Sequence, residues 1–414
     1  MFFWLNKMVK NTFNNSTKSD LGEIFKPMYI LLSIVGLFPY SITFNKSKKQ
    51  FTTEPNSLYF NLLPAVTGAT TSCVFFCLHL HHVSQAGLES NLSEAVVTTT
   101  NYCTELVLSL LCCVVPYCCS VRRRHAPAAM LNRVAAAWAA APFHLASTIL
   151  PQLQHNINIS VAAVVLHLIV HTVIIGALNT DLWKKVLLIF SFNFPHFIQC
   201  VFVAYLNVMA LLIVSVLQNI RETVAVHAKE SAALGLRKAM SAPLNVRHLE
   251  ETYSEAHRAL AELNRCYQGP ILFTLLQCFH SILSNSHIIY YGIMMQKDFN
   301  VLDGIDCGVW IVWQILKIYV LGRAGRWLDI ESRRIGEALH DLPVDKLESR
   351  TLLEIQHFST QIGFKKMILT VYGYFPVDST LLFNMVTAAM MYLLILVQFD
   401  IPENNPSQEL HGTP

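Results

Sequence analysis

Seven stretches of this chain run for about 20 residues with few or no charges, the length that a helix needs to cross bilayer hydrocarbon. They fall near residues 58–80, 98–119, 158–178, 186–213, 270–293, 306–324 and 376–399. An eighth, from Tyr29 to Phe44, is shorter and broken by Pro39. Backbone buried in lipid must satisfy its own hydrogen bonds, so the expected class is all-α and polytopic. Composition points the same way, with 53% of residues hydrophobic, 14% charged and a mean hydropathy of +0.42.

The cations orient the spans. Of 30 Lys and Arg, seven precede residue 58, four lie between 120 and 157, seven between 217 and 268, and eight between 323 and 366. An internal N-terminus puts all four groups in the cytoplasm. It leaves Lys184, Lys185 and Lys297 outside and Lys317 within a span. The positive-inside rule therefore predicts a multi-pass membrane protein with its N-terminus cytoplasmic and its C-terminus on the outer side. Met1-Phe2-Phe3-Trp4 is too short an apolar core for a signal peptide, so the first span is expected to direct insertion.

The resulting map has a cytoplasmic N-terminal segment with a short helix (1–57), spans one to four (58–216) and cytoplasmic helices (217–268). Spans five and six follow (269–324), then further cytoplasmic helices (325–375), the last span (376–399) and an extracellular tail (400–414). Leu249, Tyr253, Ala256, Leu260 and Leu263 recur at three- and four-residue steps among charged neighbours, an amphipathic helix. Trp327, Ile330, Ile335, Leu339 and Leu342 repeat the design, so the sixth span is expected to continue into the cytosol.

Other signals are weaker. The net charge of +3 and the absence of a basic, aromatic-interleaved segment give no nucleic-acid partner. Asn91-Leu92-Ser93 falls in an external loop and is a usable sequon, whereas Asn14-Asn15-Ser16 and Asn45-Lys46-Ser47 are on the cytoplasmic side. The eleven cysteines are odd in number and mostly within spans, unlike a disulfide framework. Cys118 and Cys119 beside Arg122, Arg123 and Arg124 suit either palmitoylation or ordinary helix packing, with packing favoured. His79 and His82 sit one turn apart but lack a third ligand, so no metal is expected, and no cofactor.

The last apolar run is Met391-Tyr392-Leu393-Leu394-Ile395-Leu396-Val397-Gln398-Phe399. It resembles the C-terminal signature of the insect gustatory receptor family, Thr-Tyr followed by five apolar residues and Gln-Phe, with Met391 where Thr is usual. Phe358-Ser359-Thr360-Gln361, Leu263 to Pro270 and Gly373 to Asp378 fit the same family, and Gly36-Leu37-Phe38-Pro39-Tyr40 resembles its short element ahead of the first span. Residues 85–180 carry no such motif, and Leu217 to Arg221 departs from the pattern usual after the fourth span.

The resemblance implies a tastant-gated, non-selective cation channel. Four subunits, homo- or heteromeric, would pack through their cytoplasmic helices around a pore lined by the seventh span. Carried over by motif position, Ile395, Gln398 and Phe399 are the extracellular gate, with Met391 and Tyr392 on the same stripe. A ring of amides at Gln398 would hydrogen-bond to a partly hydrated cation without binding it tightly. Read from the residues alone, Gln398 as an interfacial group and Ile395 as lipid-facing is the favoured reading, and only the full motif reverses it. Asp378, after Pro376, is expected to cap the last helix.

The family's ligand pocket opens outward among the earlier spans, and the outward halves here are rich in rings and polar groups. Phe194 and His196, Tyr290 and Tyr291, and Trp310, Trp313 and Gln314 form the candidate set, together with Glu105. The alternative is an interfacial aromatic belt. Glu105 and Lys317 are ionisable groups in hydrocarbon, expected to pair, to face water or to contact ligand. Sweet-taste members usually carry Glu after the motif Tyr; Leu393 here resembles the broader set with bitter and fructose receptors. The expected ligand is a sugar or bitter compound. A G-protein-coupled receptor would show an Asp-Arg-Tyr element and Asn-Pro-x-x-Tyr, and a transporter or membrane enzyme a repeat or a catalytic cluster. The sequence has none of these, so no enzyme is expected.

Overall fold

A computed structural model describes residues 21–38, 42–45, 50–53, 58–87, 94–139, 143–178, 181–233, 245–295, 301–342 and 349–400. Residues 1–20, the Asn91 sequon, the tail beyond Asp400 and the Phe399 side chain lie outside the described residues. The described residues are helical almost throughout. The order is α1 (Leu21–Val35), a hairpin β1 (Ile42–Asn45) and β2 (Gln50–Thr53), α2 (Leu58–Gly87), α3 (Glu94–Arg122), α4 (Ala126–Ala139) and α5 (Phe143–Leu178). Then come α6 (Leu182–Leu188), a π-helical turn (Ile189–Asn193), α7 (Phe194–Ala233), α8 (Val246–Met295), α9 (Val301–His340), α10 (Ser349–Phe364), β3 (Thr370–Val371), β4 (Phe375–Pro376) and α11 (Ser379–Asp400).

Apolar residues all round a helix send it to the centre of a bundle. In α7 every position from Ile198 to Leu217 is buried, and α3, α5, α8 and α9 pack around it. The π turn ahead of α7 has a local cause. Pro195 has no N–H to return to the residue four before it, and the ladder widens so that the Phe194 amide reaches the Ile189 carbonyl.

Five stretches are long and apolar enough to cross a membrane: Leu63–Gln85, Thr99–Arg122, Ile149–Ala177, Leu182–Lys229 and Val301–His340. The other two expected spans differ. In α11 the apolar run is shorter, Ser379–Ile395. In α8 the second half carries Thr274, Gln277, Ser281, Ser284 and His287, all buried, so its polarity is turned into the bundle.

The short helix expected in the N-terminal segment is α1, and it is part of the packed core. Phe25, Met28 and Leu32 of α1 are fully buried, and α1 packs chiefly against α5. Gly36 ends it in the left-handed region, φ +82°, so close to α2 that a Cβ there would lie 2.5 Å from the Ala65 nitrogen. The β1–β2 hairpin that follows was not anticipated.

At the charged end of the bundle the amphipathic readings hold. Leu249, Tyr253, Ala256, Leu260 and Leu263 are buried, as are Ile335, Leu339 and Leu342, and α9 runs unbroken from its apolar to its charged half. The Tyr253 hydroxyl donates to the Lys365 carbonyl at 2.7 Å and lies 2.9 Å from Ser332 Oγ. The Asn264 side chain fixes the approach to β3, donating to the Ile368 carbonyl at 2.9 Å and accepting from the Thr370 amide at 3.3 Å. Tyr372 and Gly373, both with positive φ, close the β3–β4 turn. Asp378 then caps α11 as expected, its Oδ1 accepting from the Thr380 amide at 2.9 Å.

Candidate functional site

On α3, Asn101, Tyr102 and Glu105 share a face at three- and four-residue steps. On α8 the same spacing aligns Gln277, His280, Ser281 and Ser284, and on α9 it aligns Asp306 and Trp310. These polar faces converge, with His196 from the first turn of α7, on a cavity of about 250 Å³. Tyr102, Glu105, Phe192, His196, Ser281, Ser284, His287, Asp306 and Trp310 are among its lining residues.

Glu105 is the anchor of the floor. Its carboxylate accepts from Gln277 Nε2 at 2.7 Å and from His280 Nδ1 at 2.8 Å, with His196 Nε2 3.7 Å away. Lys317, one helix across, does not touch it. The Lys317 ammonium donates to Gln199 Oε1, Gln199 Nε2 donates to Gln277 Oε1 at 3.1 Å, and Gln277 Nε2 donates to Glu105. An ammonium only donates and a carboxylate only accepts, so the two ends fix the orientation of both amides between them. The expected pairing of Glu105 with Lys317 is thus indirect, carried by Gln199 and Gln277.

The His196 ring sits inside this network, its Nδ1 3.4 Å from Lys317 Nζ and 3.5 Å from Gln314 Nε2. Trp310 packs against it, ring centroids 4.4 Å apart, and against His171 of α5 at 4.2 Å. His171 and His167 contact each other at 4.5 Å, with Trp313 4.8 Å from His167. Both histidines are fully buried, and none of their four ring nitrogens has a hydrogen-bond partner.

Of the candidate ligand residues, Glu105, His196 and Trp310 line the cavity. Gln314 lies beneath it, touching His196, and Trp313 stands behind against His167. Phe194 packs on the hydrophobic core, and Tyr291 stacks on His287, a lining residue, with centroids 6.5 Å apart. Tyr290 is half-buried on α8 and outside the lining. His79 is a partner for a cavity residue, its Nε2 2.5 Å from the Tyr102 hydroxyl, while His81 and His82 are exposed. Among the described residues no cluster of His, Cys, Asp or Glu is arranged to hold a metal.

Sequence reading missed Tyr102, Gln199, Gln277, His280, Ser284 and Asp306. The signal was present for α8, where Gln277, His280, Ser281 and Ser284 recur at helical spacing inside an apolar stretch.

The last helix is built differently. Among the described residues of α11 only Ala389 is buried. Met391, Tyr392, Ile395 and Gln398 are exposed, with Met391 at 60%. Among the described residues one aromatic contact ties this helix to α8, Phe279 against Tyr392.

The comparisons with known proteins agree on one group. The family model described as 7tm chemosensory receptor matches residues 25–403. Gustatory receptor 2a of Drosophila melanogaster is 27% identical over 180 residues, 39% of this chain and 42% of that protein. Gustatory receptor 28a of the same species is 24% identical over 185 residues, 41% of each chain. The matched part of the chain thus spans about two fifths of the length of either relative. The insect olfactory receptor OR5 from Machilis hrabei superposes over 92% of this chain and 99% of its own with a TM-score of 0.68. In complex with eugenol the same receptor gives 0.65. At 11% and 12% identity these likenesses speak for the fold alone.

Proposed function

Because the chain belongs to the 7tm chemosensory receptor family, its match running over residues 25–403, we propose that it is a gustatory receptor of the ligand-gated type. In this reading it is a non-selective cation channel in the plasma membrane, with its N-terminus cytoplasmic and its C-terminus extracellular. The ligand is a small tastant, a sugar or bitter compound, bound in the cavity above Glu105. Four copies, of one chain or two, surround a pore lined by α11.

The observation that carries this is the exposure of α11. A helix whose outward face holds Met391, Tyr392, Ile395 and an amide, Gln398, is neither a core helix nor a good lipid-facing one. Arranged around an axis, four such faces make an apolar constriction at Ile395 and a polar ring at Gln398, with Phe399 beside it. Exposed rings at the charged end, Phe364 at 85% and Tyr374 at 87%, supply surface for the subunits to pack there. OR5 from Machilis hrabei was solved in complex with eugenol, and the shared fold supports a small-molecule ligand for this chain.

Gating follows from linkage: the ligand must bind the open state more tightly than the closed one. The turn of α8 that holds Glu105 also carries Phe279, so a ligand that moves Glu105 pulls on the ring against Tyr392. A G-protein-coupled receptor and a transporter are left without support, and the protein is a receptor rather than an enzyme.

The test is whole-cell current in cells expressing the chain, with a panel including fructose and bitter alkaloids. Rapid cation current that survives G-protein block, with permeation or basal leak altered by Gln398→Ala or Ile395→Ala, bears the reading out. Current abolished by G-protein block overturns it.

A further inference from the structure

We propose that the cavity is built for a small organic cation, with the Asp306 carboxylate as its counter-ion and the Trp310 ring beside it. The proposal rests on the cavity being the ligand site and adds the chemical class of the ligand.

Charge is unevenly matched around this space. Glu105 is balanced, because the two amides of Gln199 and Gln277 connect it to the ammonium of Lys317. Asp306 has no such arrangement. It lines the same cavity, and its Oδ1 is buried with no hydrogen-bond partner. Among the described lining residues there is no Lys or Arg, and Asp303, one turn before Asp306 and exposed, adds a second carboxylate at that end of α9. A buried carboxylate needs a donor and a positive charge. A neutral polyol provides only the donor, an anion neither, and a protonated amine both.

The rings favour the same class. Trp310 lies four residues after Asp306, on the same face of α9, and lines the cavity. Tyr102 and Phe192, centroids 5.5 Å apart, form another part of the wall. A cation lying against such rings is attracted to their π faces, and most strongly to indole. The volume of about 250 Å³ is just below the range of drug-sized ligand pockets, which limits the ligand to about one ring.

The test uses purified full-length protein in lipid nanodiscs and reads ligand-induced thermal stabilisation. The probes are phenethylamine, phenyltrimethylammonium, the uncharged 2-phenylethanol and sorbitol. Phenethylamine should bind at least about tenfold more tightly than 2-phenylethanol, phenyltrimethylammonium, which brings charge without a donor, should fall between them, and Asp306→Asn should erase both differences. The comparison within the wild type stands even if the variant does not fold. Equal binding of charged and uncharged probes, or no binding of either cation at millimolar concentration, overturns the proposal. Ser284→Phe, which fills the cavity, separates the two readings. Neutral binding that it removes, without a preference for cations, overturns the charge class and leaves the cavity as the ligand site. Binding untouched by Ser284→Phe overturns both.

Discussion

Phe279 and Tyr392 meet edge to face, their ring centroids 5.9 Å apart and their planes at 82°. The contact is placed so that one turn of α8 serves two neighbours. Gln277 and His280 hold the Glu105 carboxylate at the cavity floor, and Phe279 between them in sequence faces α11. An edge-to-face pair contributes about 0.5–1.5 kcal/mol beyond the area it buries, about two- to tenfold in a gating equilibrium. Phe279→Ala should therefore move the concentration–response curve for current to higher ligand by that factor. Binding to the purified protein should be unchanged. A shift of equal size in binding would mean that Phe279 shapes the cavity rather than transmits from it.

How much of this was legible depends on the kind of signal. The helical class and the amphipathic faces at Leu249–Leu263 and around Ile335 and Leu339 were readable because periodicity is local. The Asp378 cap was readable for the same reason. The relay from Lys317 to Glu105 was not, since Gln199 and Gln277 are single amides in two apolar stretches and only packing brings them together. Nor does an apolar reading of residues 270–293 reveal that the amides and hydroxyls within it form the inward face of α8.

The same relay gives a prediction about stability. Glu105 and Lys317 neutralise each other through the two amides, so removing one charge leaves the other buried and unmatched. Glu105→Gln and Lys317→Met should each destabilise the protein by about 3–5 kcal/mol. The double substitution should lie closer to the wild type than either single one. Melting temperatures of the four proteins in one detergent test this, and additive losses would mean that the two charges are not coupled.

Acid should loosen the charged end of the bundle. His257 lies on α8 before its apolar half, and burial, then the Lys365 ammonium, hold its imidazole below the ordinary 6.5. A lowered pKa means that the unfolded chain takes the proton first, so the stability from this group is present above about pH 6.5 and lost as the pH falls towards the folded value. Hydrogen exchange of residues 246–269 should quicken between pH 7.5 and 5.5, corrected for intrinsic rates. His257→Gln should flatten that dependence; an unchanged slope in the variant assigns the effect elsewhere.

The seat of α11 is set by two glycines of α9. A Cβ on Gly325 would lie 1.8 Å from the Val377 carbonyl oxygen, and one on Gly322 would lie 2.6 Å from that of Asp378. Only glycine lets these carbonyls approach so closely, and the segment they fix is the one that starts α11. The Val377 amide donates to the Leu369 carbonyl at 2.8 Å, and Asp378 caps the helix. Gly325→Ala must push that segment off α9, at a loss of about 1–3 kcal/mol typical of overpacking, and tilt α11 from its base. Gly336, on the same helix with nothing within 4 Å of its added Cβ, is the internal control. There alanine removes backbone freedom from the unfolded chain and should stabilise by about 0.5–1 kcal/mol. Thermal melts should therefore move in opposite directions for the two alanines, and only Gly325→Ala should change basal current. If the two variants melt and conduct alike, the Gly325–Val377 contact does not position α11.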